Sequence, residues 1–313
     1  MDTPKTLVEA VRYFADPDRC LAFVAGLRWP RGPICPRCTS PALSFLRTRR
    51  IWKCLDCQKQ FSVKVGTIFE DSPIGLDKWL PALWMLVNAK NGVSSYEIGR
   101  ALGVTQKTAW FMAHRIRLAM QTHTFDKLGG EVEVDETFIG GKARFMHKAK
   151  RQQKITARGP LGKSAVVGLL ERHGPDGHSR VRVKPVPNVR RTTLSPEVRQ
   201  HVEPGAAVFT DALSSYDDLG ASYVHQVIDH AEAYAKGRVH TNGLENFWSL
   251  LKRAIKGTYV SVEPFHLFRY LDEQSYRFNT RKVTDGLRFV RTLGTVVGKR
   301  VTYERLIGAE ATT

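Results

Sequence analysis

Four cysteines constrain the first part of this chain more than any other residues. They form two pairs, Cys35-x2-Cys38 and Cys54-x2-Cys57, with 15 residues between the pairs. Each pair fits a tight turn, and Pro36 and Arg37 inside the first suit one. Two such knuckles bring four thiolates together, the tetrahedral donor set of a structural zinc ribbon. A redox dithiol uses one pair, so two pairs at this spacing favour zinc. Four sulfur ligands leave no open position for water, which makes the ion structural. Ile51-Trp52-Lys53 and Gln60-Phe61-Ser62-Val63 read as strands of the ribbon. A ribbon this small buries little core, so the metal supplies folding energy. The fifth cysteine, Cys20, falls in an N-terminal helical segment (1–30) and is expected to be buried there.

The ribbon (31–68) carries Arg47, Arg49, Arg50, Lys53, Lys59 and Lys64. They form either a solvated surface or a contact face for a polyanion. The whole chain leans the same way: 48 Lys and Arg stand against 30 Asp and Glu, a net charge of +18. Such an excess points to nucleic acid, because counterions released from phosphates drive binding. No apolar run nears the ~18 residues of a membrane helix, and the N-terminus lacks a signal-peptide core. A cytosolic protein is expected, with its cysteines reduced. At 313 residues and 42% hydrophobic, the chain has room for one large domain or two to three smaller ones.

Residues 69–124 read as helices. Trp79, Leu80, Leu83, Trp84 and Val87 give Leu76–Val87 one apolar face. Ser94 or Ser95 can cap a short second helix, and Gly103 can end it in the left-handed conformation. Thr105 then caps a third, with Ala109, Trp110, Met112, Ile116 and Met120 on its apolar side. This is the pattern of a helix-turn-helix, or of an ordinary helical hairpin. The side chains left for a DNA partner are Gln106, Lys107, His114, Arg115 and Arg117.

From Gly130 the periodicity changes to two. In Glu131-Val-Glu-Val-Asp135 the three acids share one strand face and the valines the other. Ser164–Leu170 and Arg180–Val186 read as strands joined through the turn Gly174-Pro-Asp-Gly177. Ala207-Val-Phe-Thr-Asp211 reads as a buried strand and Asn242–Ile255 as a helix. Asp211 follows Asp135 by 76 positions, and Glu245 follows Asp211 by 34. Glu245, Lys252 and Asn242 share one helix face. A strand acid, a strand-end acid and a helix acid in this order point to an RNase H-like core. Carboxylates suit Mg²⁺, which takes hard oxygen ligands, and paired ions run phosphoryl transfer. Glu133 and Glu136 flank Asp135; in a regular strand Glu136 faces away from it. Asp217, Asp218 and Asp229 read as turn or loop residues.

The four cysteines, Val134-Asp-Glu-Thr-Phe-Ile-Gly-Gly-Lys142, Phe209-Thr-Asp211, His240-Thr-Asn-Gly-Leu-Glu-Asn-Phe-Trp-Ser-Leu-Leu-Lys-Arg253 and Gly257-Thr-Tyr259 together resemble the IS1595-type insertion-sequence transposases. Tyr270-Leu-Asp-Glu273 and Tyr276-Arg-Phe-Asn279 extend the likeness, which covers roughly residues 10–285. It implies an α+β multidomain protein: a zinc ribbon and helix-turn-helix, then an ISXO2-like DDE domain (128–285). That domain is expected to be an RNase H-like α/β core with a mixed sheet. Asp135 and Asp211 become the first and second catalytic acids, holding Mg²⁺ or Mn²⁺. The third position is Glu or Asn in this family. Glu245 is favoured by its spacing to Asp211 and Lys252, with Asn242 three residues earlier as the alternative. Lys252, Arg253 and Asn242 would position DNA; His240 would contact a scissile phosphate or simply start the helix.

The stretch from Thr137 to Leu170 holds no acid but many bases, among them Lys142, Arg144, Lys148, Lys150, Arg151, Lys154, Arg158 and Lys163. It is a solvated loop or a DNA-binding insertion, here taken through Lys142, Lys148 and Arg151. The resemblance implies binding of element ends, exposure of 3′-hydroxyls and their joining to target DNA by at least two copies of the protein. An RNase H-like nuclease or resolvase shares this chemistry. A non-enzymatic regulator would need only the ribbon and the helix-turn-helix. The run from Leu287 to Arg300 (in a C-terminal extension, 286–313) carries no pattern that assigns it a role.

Overall fold

A computed structural model describes residues 3–121, 126–140, 148, 149, 152, 162–174, 176–211, 213–228 and 239–308. The chain divides into two compact units, residues 1–121 with 280–313, and residues 122–279.

The first unit opens with α1 (Leu7–Tyr13), capped by Thr6, and α2 (Pro17–Arg28), capped by Asp16. Phe14, Phe23, Trp84 and Phe289 pack ring on ring in its core. Cys20 is fully buried as expected; its Sγ donates to the Phe14 carbonyl, and burial pushes its thiol up to about 12. Next comes a three-stranded antiparallel sheet of β1 (Leu43–Leu46), β2 (Ile51–Cys54) and β3 (Gln60–Phe61). Trp29, Trp52 and Phe61 pack against one another at its base. The four cysteine Sγ atoms lie within 4.8 Å of one another. Cys35 and Cys57 are 3.7 Å apart, Cys38 and Cys54 3.5 Å. Four sulfurs on a tetrahedral zinc with ~2.3 Å bonds stand roughly 3.8 Å apart, so the cluster fits the ion. Three of the ribbon's bases have local partners, among them Arg49, which donates to Gln60 Oε1 at 2.9 Å. Lys64 Nζ donates to the carbonyls of Ser72 and Ile74, and Arg50 pairs with Asp18.

Three helices follow: α3 (Leu76–Asn88), α4 (Ser95–Leu102) and α5 (Gln106–Met120). A capping box between Ser94 and Glu97 starts α4, and Gly103, at φ 61°, ends it. Thr105 caps α5. The exposure expected along α5 holds only for its first turn, where Gln106 and Lys107 lie in solvent. His114, Arg115 and Arg117 are buried, which corrects their reading as contact residues. Arg115, 4% exposed, donates to the Ile68 and Glu70 carbonyls and lies over the Phe111 ring. Its charge satisfies backbone inside the unit instead of phosphate outside it.

Part of the cover over α5 comes from residues 285–300, whose run carries no pattern that assigns it a role in sequence. The helix Asp285–Gly294 buries Phe289 and Leu293, and Arg288 bonds Asn88. Beyond it, Thr295 Oγ1 and Lys299 Nζ donate to the Ala119 carbonyl, and Lys299 also to that of Gln121. The end of α5 is thus covered on a side that a two-faced helix would leave wet.

The second unit is built on a five-stranded sheet: β4 (Glu131–Ile139), β5 (Ser164–Glu171), β6 (Arg180–Val186), β7 (Ala207–Asp211) and β8 (Val224–Ile228), in the order β6-β5-β4-β7-β8. The β4–β5 and β5–β6 pairs are antiparallel; β4–β7 and β7–β8 are parallel. Both faces of β5 are covered, which explains its unbroken apolar run. One face packs Val132, Val134 and Val208 against Leu194 and Val198 of α6 (Arg191–His201) and against Tyr216. The other packs Val166 and Leu170 against Leu244, Phe247, Trp248 and Leu251 of α7 (Asn242–Ala254), and Leu267, Leu271 and Phe278 of α8 (Leu267–Asn279). No helix among the described residues is long and apolar enough to cross a membrane.

Candidate active site

The site begins where two parallel strands part. The β4–β7 ladder ends at Glu133–Phe209, whereas β4 stays paired with β5 as far as Ile139. Asp135 and Asp211 each lie two residues past that last pair. By strand alternation both take the face of Glu133 and Phe209, the face that α7 covers. The carboxyl end of a parallel pair, with no ladder between the strands, is an open crevice for side chains.

Two side-chain bonds tie α7 to this face. Its cap residue, Thr241, makes no side-chain cap bond. The Glu133 carboxylate does that work from the sheet, accepting from the Leu244 N–H at 2.9 Å. One turn on, Trp248 Nε1 donates to Asp135 Oδ2 at 2.8 Å. The indole lies over Gly168, the β5 residue opposite Asp135; a Cβ there would stand 2.6 Å from the ring. Trp248 lines the same cleft as Asp135, a placement that the helix pattern alone does not reveal. The signal for it is the isolated glycine in the apolar run Val166-Val-Gly-Leu-Leu170, which marks a close approach.

Asp135, Glu136, Thr137, Glu245, Trp248, Ser249, Lys252, Arg253 and Lys256 line a cleft of about 620 Å³. Three cations thus share a cavity with three carboxylates. Asp211 is not in the lining, yet its charge acts on both Asp135 and Glu136. Burial pushes the Asp135 carboxyl up to about 6; Trp248 pulls it down, and Asp211 and Glu245 add to the rise. Burial likewise pushes Glu136 up to about 7, against a hydrogen bond from the Tyr216 hydroxyl at 2.8 Å. Glu136 does reach the Tyr216 side, as alternation requires, but the cleft extends to it where β7 has drawn away. Lys252 is half-buried, and desolvation lowers its pKa while Asp135 opposes the change.

The other expected residues distribute unevenly. Asn242 is exposed at the start of α7 and does not line the cleft, whereas Glu245 does. His240 is not in the cleft either. Its Nδ1 lies 2.9 Å from Arg172 Nη2 and 3.5 Å from Glu133, in a separate hollow of about 430 Å³. Lys148 is exposed; Lys142, Arg144, Lys150, Arg151, Lys154, Arg158 and Asp229 lie outside the described residues. Among the described residues, the cysteines are the one group of three or more metal-binding side chains with all ligand atoms within 4.8 Å.

A mixed sheet, a zinc ribbon and an acid-lined cleft define a multidomain α/β protein of the kind the motifs suggest. The family of ISXO2-like transposase domains matches residues 127–279, and that of transposase zinc-ribbon domains matches residues 15–60. An uncharacterised protein of transposable element ISH50 from Halobacterium salinarum is 25% identical over 255 residues, 78% of this chain and 84% of its own length. An uncharacterised transposase-like protein of Haemophilus influenzae is 34% identical over 109 residues, 34% of this chain and 88% of its own length. The chain belongs to the IS1595 family of insertion-sequence transposases.

Proposed function

We propose that this protein is a DDE transposase that cuts at the ends of its element and joins the freed 3′-hydroxyls to target DNA. The observation that carries this reading is the cleft where Asp135 and Glu245 face Lys252, Arg253 and Lys256, with Asp211 level with Asp135 on the next strand. The sheet order, antiparallel on one side of β4 and parallel on the other, supports an RNase H-like core. The helices α4 and α5, with Gln106 and Lys107 exposed at the start of the second, support a helix-turn-helix that reads the element ends.

The donor set fits a hard divalent cation. Asp135 is mostly buried beside two other carboxylates, and Trp248 Nε1 and the Glu136 N–H donate to it. That crowding raises its pKa, the electrostatic state a cation relieves. Asp135, Asp211 and Glu245 would hold Mg²⁺ or Mn²⁺. Such ions, when bound, would supply activation of water or a 3′-hydroxyl and offset charge on the leaving oxygen. The chain does the rest. Trp248 Nε1 and the Glu136 N–H each donate to one oxygen of Asp135 and so fix the orientation of its carboxylate. Lys252, one turn further along α7 and lining the same cleft as Asp135, would meet the phosphate. Arg253 and Lys256 continue that basic edge out of the cleft, where the flanking strand would run. Joining at two element ends calls for a complex of at least two copies.

The test is joining of a pre-cut element end to a target plasmid in Mg²⁺. Joined product is the expected result. Cleavage of a longer end without joining would favour a nuclease, and DNA binding with neither would favour a regulator.

A further inference from the structure

A buried ion pair outside the cleft touches all three elements that carry the acids. Glu133 is 1% exposed and lies on β4 two residues before Asp135. One of its oxygens accepts from the Leu244 amide of α7, next to Glu245. The other accepts from Arg172 Nε at 2.8 Å. Arg172 closes the remaining gaps. Its guanidinium lies 4.3 Å over the ring of Phe209, two residues before Asp211 on β7. Its Nη2 donates to the His240 carbonyl at 2.6 Å, just ahead of α7, and its Nη1 meets Glu131 at 3.2 Å. Gly243 permits the arrangement, because a Cβ there would stand 2.8 Å from the Glu133 carboxylate.

We infer that the Glu133–Arg172 pair is a positioning device that holds β4, β7 and α7 in the register their acids need, without touching DNA or metal. This rests on the strand-transfer reading. The physical case is that acids one or two residues beyond anchored positions inherit the precision of the anchor. A site displaced by about 1 Å loses rate out of proportion to its loss of binding. A buried charge pair is a poor source of stability but a good source of geometric specificity, because each partner accepts few arrangements of the other. His240 belongs to this device through its carbonyl and ring, which accounts for its place outside the cleft.

The test uses full-length Glu133→Gln, Arg172→Lys and their double variant, with Asp135→Asn as the reference for a dead centre. Glu133→Gln keeps an oxygen for the Leu244 amide, which Glu133→Ala would remove. Five quantities are read: kcat and KM for joining, the Mn²⁺ half-saturation by electron paramagnetic resonance, exchange of the Leu244 amide, and the melting temperature. The expected result is a kcat at least tenfold lower, KM for end DNA within twofold, a weaker Mn²⁺ half-saturation, and faster Leu244 exchange. The double variant should be no worse than the poorer single. Unchanged kcat and Mn²⁺ half-saturation with only a lowered melting temperature would overturn the inference and leave a plain structural pair. If wild type fails to join DNA, or Asp135→Asn joins it, the strand-transfer reading itself fails.

Discussion

Asp135 shows how a single side chain acquires a role from its neighbours. The sequence marks it as the last acid of an alternating strand, and that much was legible from Glu131-Val-Glu-Val-Asp135. Its burial, its bond to Trp248 and its partner Asp211 depend on a helix and a strand far along the chain. Its pH behaviour follows. Burial and the other carboxylates hold its pKa up at about 6, above the ordinary value, so the folded state favours the protonated form. Such a group contributes stability that is present below its unfolded pKa and is lost as pH rises through about 6. In metal-free protein, raising pH from about 5 to about 7.5 should lower the melting temperature of wild type more than that of Asp135→Asn. Mg²⁺ should restore the wild type at the higher pH and leave Asp135→Asn little changed. Parallel pH slopes for the two proteins would contradict the account. Glu133, one alternation earlier, shares the strand face of Asp135 in sequence; in the fold its two oxygens are taken by Arg172 and the Leu244 amide.

At the scale of elements, strands and helix ends were easier to read than the surroundings of each helix. The strands at 180–186 and 207–211 and the start of α7 at Asn242 follow the bounds their patterns predict. Alternation and caps are local, so sequence carries them. The strand β8 was missed, since Val224-His-Gln-Val-Ile228 is short and mixes polar residues on a half-exposed edge. Helix α5 gives the sharper lesson. Periodicity assigned it one apolar face, but its second half is enclosed, and His114, Arg115 and Arg117 are buried with it. Arg115→Ala should therefore cost about 2–4 kcal/mol of stability, by stranding the Ile68 and Glu70 carbonyls, as urea unfolding would report. Lys107→Ala, at the exposed start of the same helix, should leave stability within about 0.5 kcal/mol and weaken binding to element ends, measured by fluorescence anisotropy. The reverse pattern would restore Arg115 to the DNA-contacting face.

At the scale of the molecule, the first unit is closed by residues distant in sequence. No local pattern announces that Val297 bridges to Thr67 or that Lys299 caps the end of α5. Removing residues 295–313 should expose those carbonyls and speed hydrogen exchange across residues 112–121, with a lower melting temperature; unchanged exchange would contradict the packing. The net charge of +18 was readable at once and agrees with a protein that works on DNA, but it says nothing about which atoms react. That claim rests on three carboxylates placed by two strands and a helix. The most direct measurement is Mg²⁺-dependent joining of pre-cut ends by Asp135→Asn, Asp211→Asn, Glu245→Gln and Asn242→Ala, with end binding measured on the same preparations. The first three should lose joining by at least 100-fold and keep end binding within about threefold, while Asn242→Ala retains joining, as removal of a metal ligand compared with an exposed neighbour demands. Joining that survives loss of Asp135, or that fails with Asn242→Ala and persists with Glu245→Gln, would contradict the assignment.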